Sequence, residues 1–291
     1  MTTSLPHRAD PVAGVFVASM CRALARRGHR VTAVFIARGG GDGVLPVEGV
    51  RLRAVACTGH PFYGAGAPDA LYGGARAWVG AARAAWSLWR EARAVAGETE
   101  AWVSNFIVPC GAIAGAVRGR SPHVAVVHGS DAAMFARLPL AVRARVLAGA
   151  TRVWCSHAGL VAGLGPTAPP VTVRPMGWWA PPVVAPLSRS AGEGAGVRAP
   201  QLVLVVSRLI PLKGVDRVAR AVALLRERGR SVSLVVAGDG PERASLARAF
   251  PWARWTGAVD PATRDALMAR ATVLAHAPRA LASGRTEARP P

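Results

Sequence analysis

The chain has 291 residues, 51% of them hydrophobic, with 36 Lys+Arg against 16 Asp+Glu and a formal net charge of +20. That length suits about two domains of ordinary size, and 32 Gly with 23 Pro fall below the proportion that marks low-complexity disorder. The charge favours anionic partners, but no long block of like charges and no DNA- or RNA-binding motif accompanies it, so nucleic acid is not an expected partner.

Cys21, Cys57, Cys110 and Cys155 lie far apart without a C-x-x-C pair. This suggests neither a zinc site nor a disulfide framework, and it fits a reducing cytoplasm. The start "MTTSLPHRADP" has no apolar core of a signal peptide, so none is expected. The longest uncharged run, 101–117, falls short of ~20 apolar residues and contains a proline, so a membrane span is not expected there.

In chain order, Val17, Met20, Cys21 and Leu24 share one face of a helix expected over 15–28, which Gly28 can end. Short apolar runs at 31–37 and 50–56 predict buried strands, and 70–96 predicts one long helix. "AWVSNFIV", "HVAVVHG", "RVWCS" and "PVTVRPMG" are further strand candidates, with helical segments between them. The stretch 185–200 is rich in Gly, Ala, Ser and Pro and reads as a linker or insertion. Beyond it come strands at 202–207, 231–238 and 271–277, with helices at 214–229, 241–250 and 261–270. Such alternation predicts an α/β fold with parallel sheets. The expected domains are 1–184 and 201–291, both Rossmann-like, with a cleft between them.

Among so many arginines the chain has one lysine, Lys213, in "SRLIPLKGVDR". There an apolar strand runs into a loop holding Arg208 and Lys213, and a helix follows. In open α/β sheets ligands bind at the carboxyl ends of strands. Two cations beside a helix N-terminus suit a diphosphate. Arginine offers a planar fork and lysine a compact point charge. A pair of solvated surface charges is the alternative reading.

This segment resembles the donor-site signature of the retaining GT-B glycosyltransferases of family 4, which includes bacterial polysaccharide-building enzymes. "GDGPER" at 238–243 and "WTGAV" at 255–259 resemble the next landmarks in order, the latter bringing Gly257 and Val259 near the nucleotide base. "DPVAGVFVASMCRALARRG" resembles the opening glycine loop and helix, "VVHGSD" the H-G-x-D strand end, and "VRPMGW" the P-x-G segment before the domain crossover. The resemblance covers most of 5–287.

The resemblance implies a GT-B fold and sugar transfer, with retention and without a metal, from a nucleotide diphosphate sugar to a glycan or lipid-linked acceptor. It implies that Arg208 and Lys213 stabilise the departing diphosphate and that Glu287 holds donor-sugar hydroxyls. By the same resemblance His128 contacts the sugar near the acceptor. Glycine at Gly14 allows backbone N–H groups close to phosphate. "SGRTEARPP" matches the family segment that carries the first Glu of an E-x7-E motif, and the second position lies past residue 291. The expectation is therefore a second domain that is incomplete, a missing first strand, and weak or absent turnover. A non-catalytic remnant and a basic membrane- or polyanion-binding protein remain as alternatives. No D-x-D pair suggests a metal clamp.

On the helix over 70–96, Trp78, Trp86 and Trp89 share an arc flanked by Arg76, Arg83 and Arg90. Such a stripe is more often core. The other reading is peripheral contact with an anionic membrane at the inner face of the cell envelope.

Overall fold

The computed structural model describes residues 1–8, 13–37, 43–57, 75–165, 169–174 and 201–279, which fall into two compact units divided between 174 and 201. The linker expected over 185–200 and the site residue Glu287 lie outside the described residues.

The first unit begins with helix α1 (Val15–Arg26), strand β1 (Val31–Ala37), strand β2 (Val50–Ala56) and helix α2 (Ala75–Val95). β3 (Trp102–Asn105), α3 (Ala112–Val117), β4 (His123–Val127), α4 (Ser130–Ala136), α5 (Leu140–Ala148), β5 (Arg152–Cys155) and β6 (Val171–Val173) complete it. The strands form two parallel sheets, β1–β2 and β3–β4–β5–β6.

From Ala33 to Ala37, β1 is apolar and buried because both of its faces are covered there, as in other parallel sheets. Ala33, Phe35 and Ala37 pack with Val17, Ala18 and Cys21 of α1. Val34 and Ile36 pack with Ala84, Leu88 and Ala92 of α2. All four cysteines are free and buried. Burial pushes the thiol of Cys110 up to about 12 and that of Cys155 to about 11.

The second unit holds β7 (Gln201–Val206), α6 (Val215–Glu227), β8 (Val232–Ala237), α7 (Arg243–Ala249), β9 (Arg254–Gly257), α8 (Pro261–Arg270) and β10 (Val273–Leu274). They form one parallel sheet in the order β10–β7–β8–β9. Val215, Val218, Ala219 and Val222 of α6, at helical spacing, pack on Val205, Leu234 and Val236. Each such valine contributes roughly 1.5–3 kcal/mol relative to an exposed one. The other face meets Leu267 of α8 through Leu204, Val235 and Ala237. Asp260 caps α8 by accepting the Thr263 N–H at 2.9 Å.

Three expectations need correcting. The last strand shrinks from 271–277 to Val273–Leu274, whose two side chains are exposed at the edge of the sheet. The strand β9 had no reading of its own in the sequence. The tryptophan stripe is not core: Trp78 is 61% and Trp86 63% exposed. The inward face of α2 is instead the row Gly80, Ala84, Leu88 and Ala92. Trp89 is half-buried against that core and stacks on Trp86 at 4.9 Å. Among the described residues, no helix is long and apolar enough to cross a membrane.

Candidate functional site

At the carboxyl edge of the second unit's sheet, β7 leads through Ser207 and Arg208 into a single turn, Pro211–Lys213. Gly214 then takes a left-handed conformation, φ +60°, and starts α6. A Cβ at Gly214 would stand 2.0 Å from the Ala277 carbonyl oxygen, so only glycine fits. Arg208 is exposed and Lys213 half-buried.

Backbone bonds tie the neighbouring loops together. The Ser207 N–H donates to Ala237 O at 3.1 Å, Leu209 N–H to Asp239 O at 2.9 Å, and Glu242 N–H to Leu209 O at 3.1 Å. Gly238 N–H donates to Gly257 O at 2.8 Å, and Arg279 N–H to Leu212 O at 3.0 Å. The residues Arg208, Lys213 and Gly257 therefore share one sheet edge. Val259 packs its side chain on the core of Leu204, Val235 and Ala237. Gly257 has φ +77°, and a Cβ there would press on the Arg243 guanidinium at 3.2 Å.

Beneath this edge Asp216, in the first turn of α6, is paired with Arg279 and, at 3.6 Å, with Arg220. Partial burial works to raise the Asp216 carboxyl, but the bond and charge of Arg279, helped by Arg220, hold it below the ordinary range. Glu242 is shifted up, first by burial and then by the charge of Asp216. The Ser207 hydroxyl is buried without a hydrogen-bond partner.

In the first unit the sequence-predicted residue is His128, at the carboxyl end of β4. Its ring lies between Phe16 of α1, centroids 4.7 Å apart, and Phe106, 4.9 Å apart. Its Nε2–H donates to Asn105 Oδ1 at 3.0 Å. Burial lowers its pKa, opposed by the nearby Asp131, so the ring is held neutral with Nδ1 left as an acceptor.

Asp131 organises this corner, a role the sequence did not disclose. Its Oδ1 accepts the N–H groups of His128 at 3.0 Å and Gly129 at 2.9 Å, and its Oδ2 that of Ile107 at 2.8 Å. The side chain is 2% exposed. The chain can turn back in this way because Gly129 sits at φ +129° and Phe106 at φ +72°. The H-G-x-D spelling marks Asp131 in the sequence but not the three N–H groups it collects.

Gly14 has φ +64°, and a Cβ there would stand 2.4 Å from Ser4 O. Its carbonyl accepts the N–H groups of Val17 and Ala18 at the start of α1. This packing by itself demands glycine.

Two parallel-sheet α/β units with this strand-edge loop define a fold of the GT-B type, and the solved structures that share it include glycosyltransferases. It is similar to HepE of Anabaena in complex with UDP, at 15% identity and TM-score 0.61, covering 95% of this chain and 74% of that one. It is similar to the lipopolysaccharide outer core galactosyltransferase WaaB, at 12% identity and TM-score 0.55, covering 95% of this chain and 73% of that one. WaaG, a glycosyltransferase involved in lipopolysaccharide biosynthesis, matches at 15% identity and TM-score 0.54 with the same two coverages. Within the second unit, residues 200–285 match the family described as Glycosyl transferases group 1. No curated protein matches the chain.

Proposed function

We propose that the protein transfers a sugar from a nucleotide diphosphate sugar to a glycan or lipid-linked acceptor, with retention at the anomeric carbon. The observation that carries this reading is the loop 207–214. It holds Arg208 and Lys213 at the carboxyl edge of a parallel sheet, inside the stretch 200–285 that matches the glycosyl transferase family. HepE, which shares the fold, is described with bound UDP, and UDP is the nucleotide proposed here.

In the proposed step the bond from the anomeric carbon to the β-phosphate oxygen breaks. The acceptor oxygen bonds to that carbon on the same face, and the acceptor proton leaves with the diphosphate. Negative charge grows on the leaving group, so preorganised cations lower the barrier. Arg208 grips phosphate oxygens with its fork, while Lys213 brings a single charge to one of them. Because these side chains supply the charge, and the sequence has no D-x-D pair, no metal is invoked.

In this reading Glu287 holds donor-sugar hydroxyls, and Gly257 and Val259 border the base. Gly14 brings backbone N–H groups toward phosphate. Neutral His128 contacts the sugar near the acceptor, its Nδ1 accepting from a hydroxyl.

The test is turnover across a panel of nucleotide sugars. Lys213→Ala lowers transfer or slow donor hydrolysis by about 10²-fold, and Lys213→Arg also falls short because its shape differs. A Lys213→Ala protein as active as the parent sinks the reading.

The exposed Trp78, Val79 and Trp86 with Arg76, Arg83 and Arg90 favour a second element. The proposal is that this face of α2 rests on an anionic membrane surface, at the cytoplasmic side, where a lipid-linked acceptor is reached. Co-sedimentation with vesicles then rises with anionic lipid and weakens with salt. Trp78→Ala with Trp86→Ala abolishes it, and unchanged sedimentation in that pair removes the membrane from the proposal.

A further inference from the structure

Three contacts join the turn that carries Lys213 to the segment that follows β10. The Arg279 N–H donates to Leu212 O at 3.0 Å, inside the turn Pro211–Lys213. The Ala277 carbonyl lies so close to Gly214 that a Cβ there would stand 2.0 Å from its oxygen. The Arg279 guanidinium is bonded to Asp216 Oδ1, in the first turn of α6. Leu212, Gly214 and Asp216 are thus all held by the segment 277–279, and Lys213 lies between the first two.

Arg279 and Asp216 stand 63 positions apart in the chain, and their side chains are 28% and 19% exposed. A partly desolvated ion pair adds little net stability, because desolvation offsets most of the attraction. What such a pair supplies is a fixed register between the segments it joins. The Arg279 Nε–H is buried without a hydrogen-bond partner, which costs solvation. The arginine is therefore placed by its bond to Asp216 rather than by its own best solvation. Its charge also acts on Glu242, whose carboxyl is pushed up by burial and by Asp216. The Glu242 N–H in turn holds Leu209 O at 3.1 Å, earlier in the same loop. Arg279 is thus the cation that lets two carboxylates stand beneath one loop.

We propose that Asp216 and Arg279 are positioning residues for the nucleotide site: their ion pair locks the turn 211–214 and so fixes where Lys213 meets the diphosphate. The proposal rests on the donor reading of Lys213 given above. A lysine side chain is flexible, so its charge is preorganised only as far as its backbone is held. Asp216 and Arg279 act through the backbone at Leu212 and Gly214 rather than on the diphosphate.

The test uses the full chain with Asp216→Asn, with Arg279→Met and with both, read by amide exchange and by calorimetric titration with UDP. Protection at Lys213 and Gly214, taken relative to intrinsic exchange rates, falls by roughly tenfold in each variant, while β7 and β8 keep theirs. The Kd for UDP rises about 5-fold or more in each single variant. Arg279→Met has the larger effect, because it leaves Asp216 and Glu242 to repel each other. The combined variant is no worse than Arg279→Met, since the same interaction is lost in both. Arg279→Lys keeps a cation for Asp216 and holds affinity closer to the parent. Arg220→Met, which removes the exposed partner of Asp216, changes neither readout. The proposal is overturned if Asp216→Asn leaves protection at Lys213 and Gly214 unchanged. It is equally overturned if protection falls while UDP affinity stays at the parent's, or if the two single losses multiply in the combined variant. A parent that does not bind UDP sinks the donor reading instead, and exchange alone then decides whether the pair holds the turn.

Discussion

The two sheet edges that carry the candidate residues are built by different means. In the second unit the loops after β7, β8, β9 and β10 are bonded backbone to backbone, and Gly214, Gly238 and Gly240 let them approach that closely. In the first unit, the loops after β3 and β4 meet at a carboxylate, where Asp131 collects the N–H groups of Ile107, His128 and Gly129. One edge is held by the absence of side chains, the other by a buried acceptor. The first should therefore fail when a methyl group is added, and the second when one oxygen is changed.

The largest effect is expected at Gly238. It has φ +149°, and a Cβ there would stand 1.8 Å from Ser207 O. Gly238→Ala must displace the backbone that positions Arg208, so we expect a loss of about 3 kcal/mol or more, measured by denaturant unfolding. Gly28→Ala sharpens the point. At φ +89° with nothing within 4 Å, it costs only the conformational strain of about 1–2 kcal/mol. Equal losses in the two variants would show that backbone crowding does not hold the second edge.

Asp131→Asn comes next. The amide replaces one acceptor by a donor, so at least one of the three buried N–H groups loses its partner, at a cost of about 2 kcal/mol. The loss should appear as faster amide exchange at Ile107, His128 and Gly129, with the second unit unaffected.

The smallest effect is pH dependence. His123 is fully buried, bonded to Ser104 Oγ at 2.8 Å and Gly149 O at 2.9 Å. Its pKa, like that of His128, is lowered chiefly by burial. A histidine whose folded value lies below its unfolded value binds protons more readily when unfolded. Its contribution is therefore intact above the unfolded value of about 6.5 and is lost as pH falls from there through the lower folded value. Protection of the β3 and β4 amides, taken relative to their intrinsic exchange rates at each pH, should fall below that pH. His123→Gln should flatten the dependence, and an unchanged acid slope would count against this assignment.

Most of this architecture was legible because buried parallel strands spell themselves as apolar runs. Val31–Ala37 and Pro261–Arg270 were bounded to the residue. β9 was not, because Arg254–Gly257 is four residues long and mostly polar or half-exposed. The tryptophans of α2 misled because residue size suggested burial. The helix packs instead through Gly80, Ala84, Leu88 and Ala92, the first two small enough to allow close approach. The positions of Arg208, Lys213 and His128 at strand ends were readable from motif spacing. The hub at Asp131 was not, since it depends on the positive φ of Phe106 and Gly129.

The central claim, that the loop 207–214 binds a nucleotide diphosphate, is tested most directly by calorimetric titration of the protein with UDP. Binding is expected, weakening with salt. Lys213→Ala and Arg208→Ala should each lower affinity by roughly 10- to 100-fold, the scale of one hydrogen bond to a charged group. Arg248→Ala, an exposed arginine on α7, should leave affinity unchanged. UDP binding that is equally strong in Lys213→Ala, Arg208→Ala and Arg248→Ala would contradict the assignment and reduce the effect to net charge.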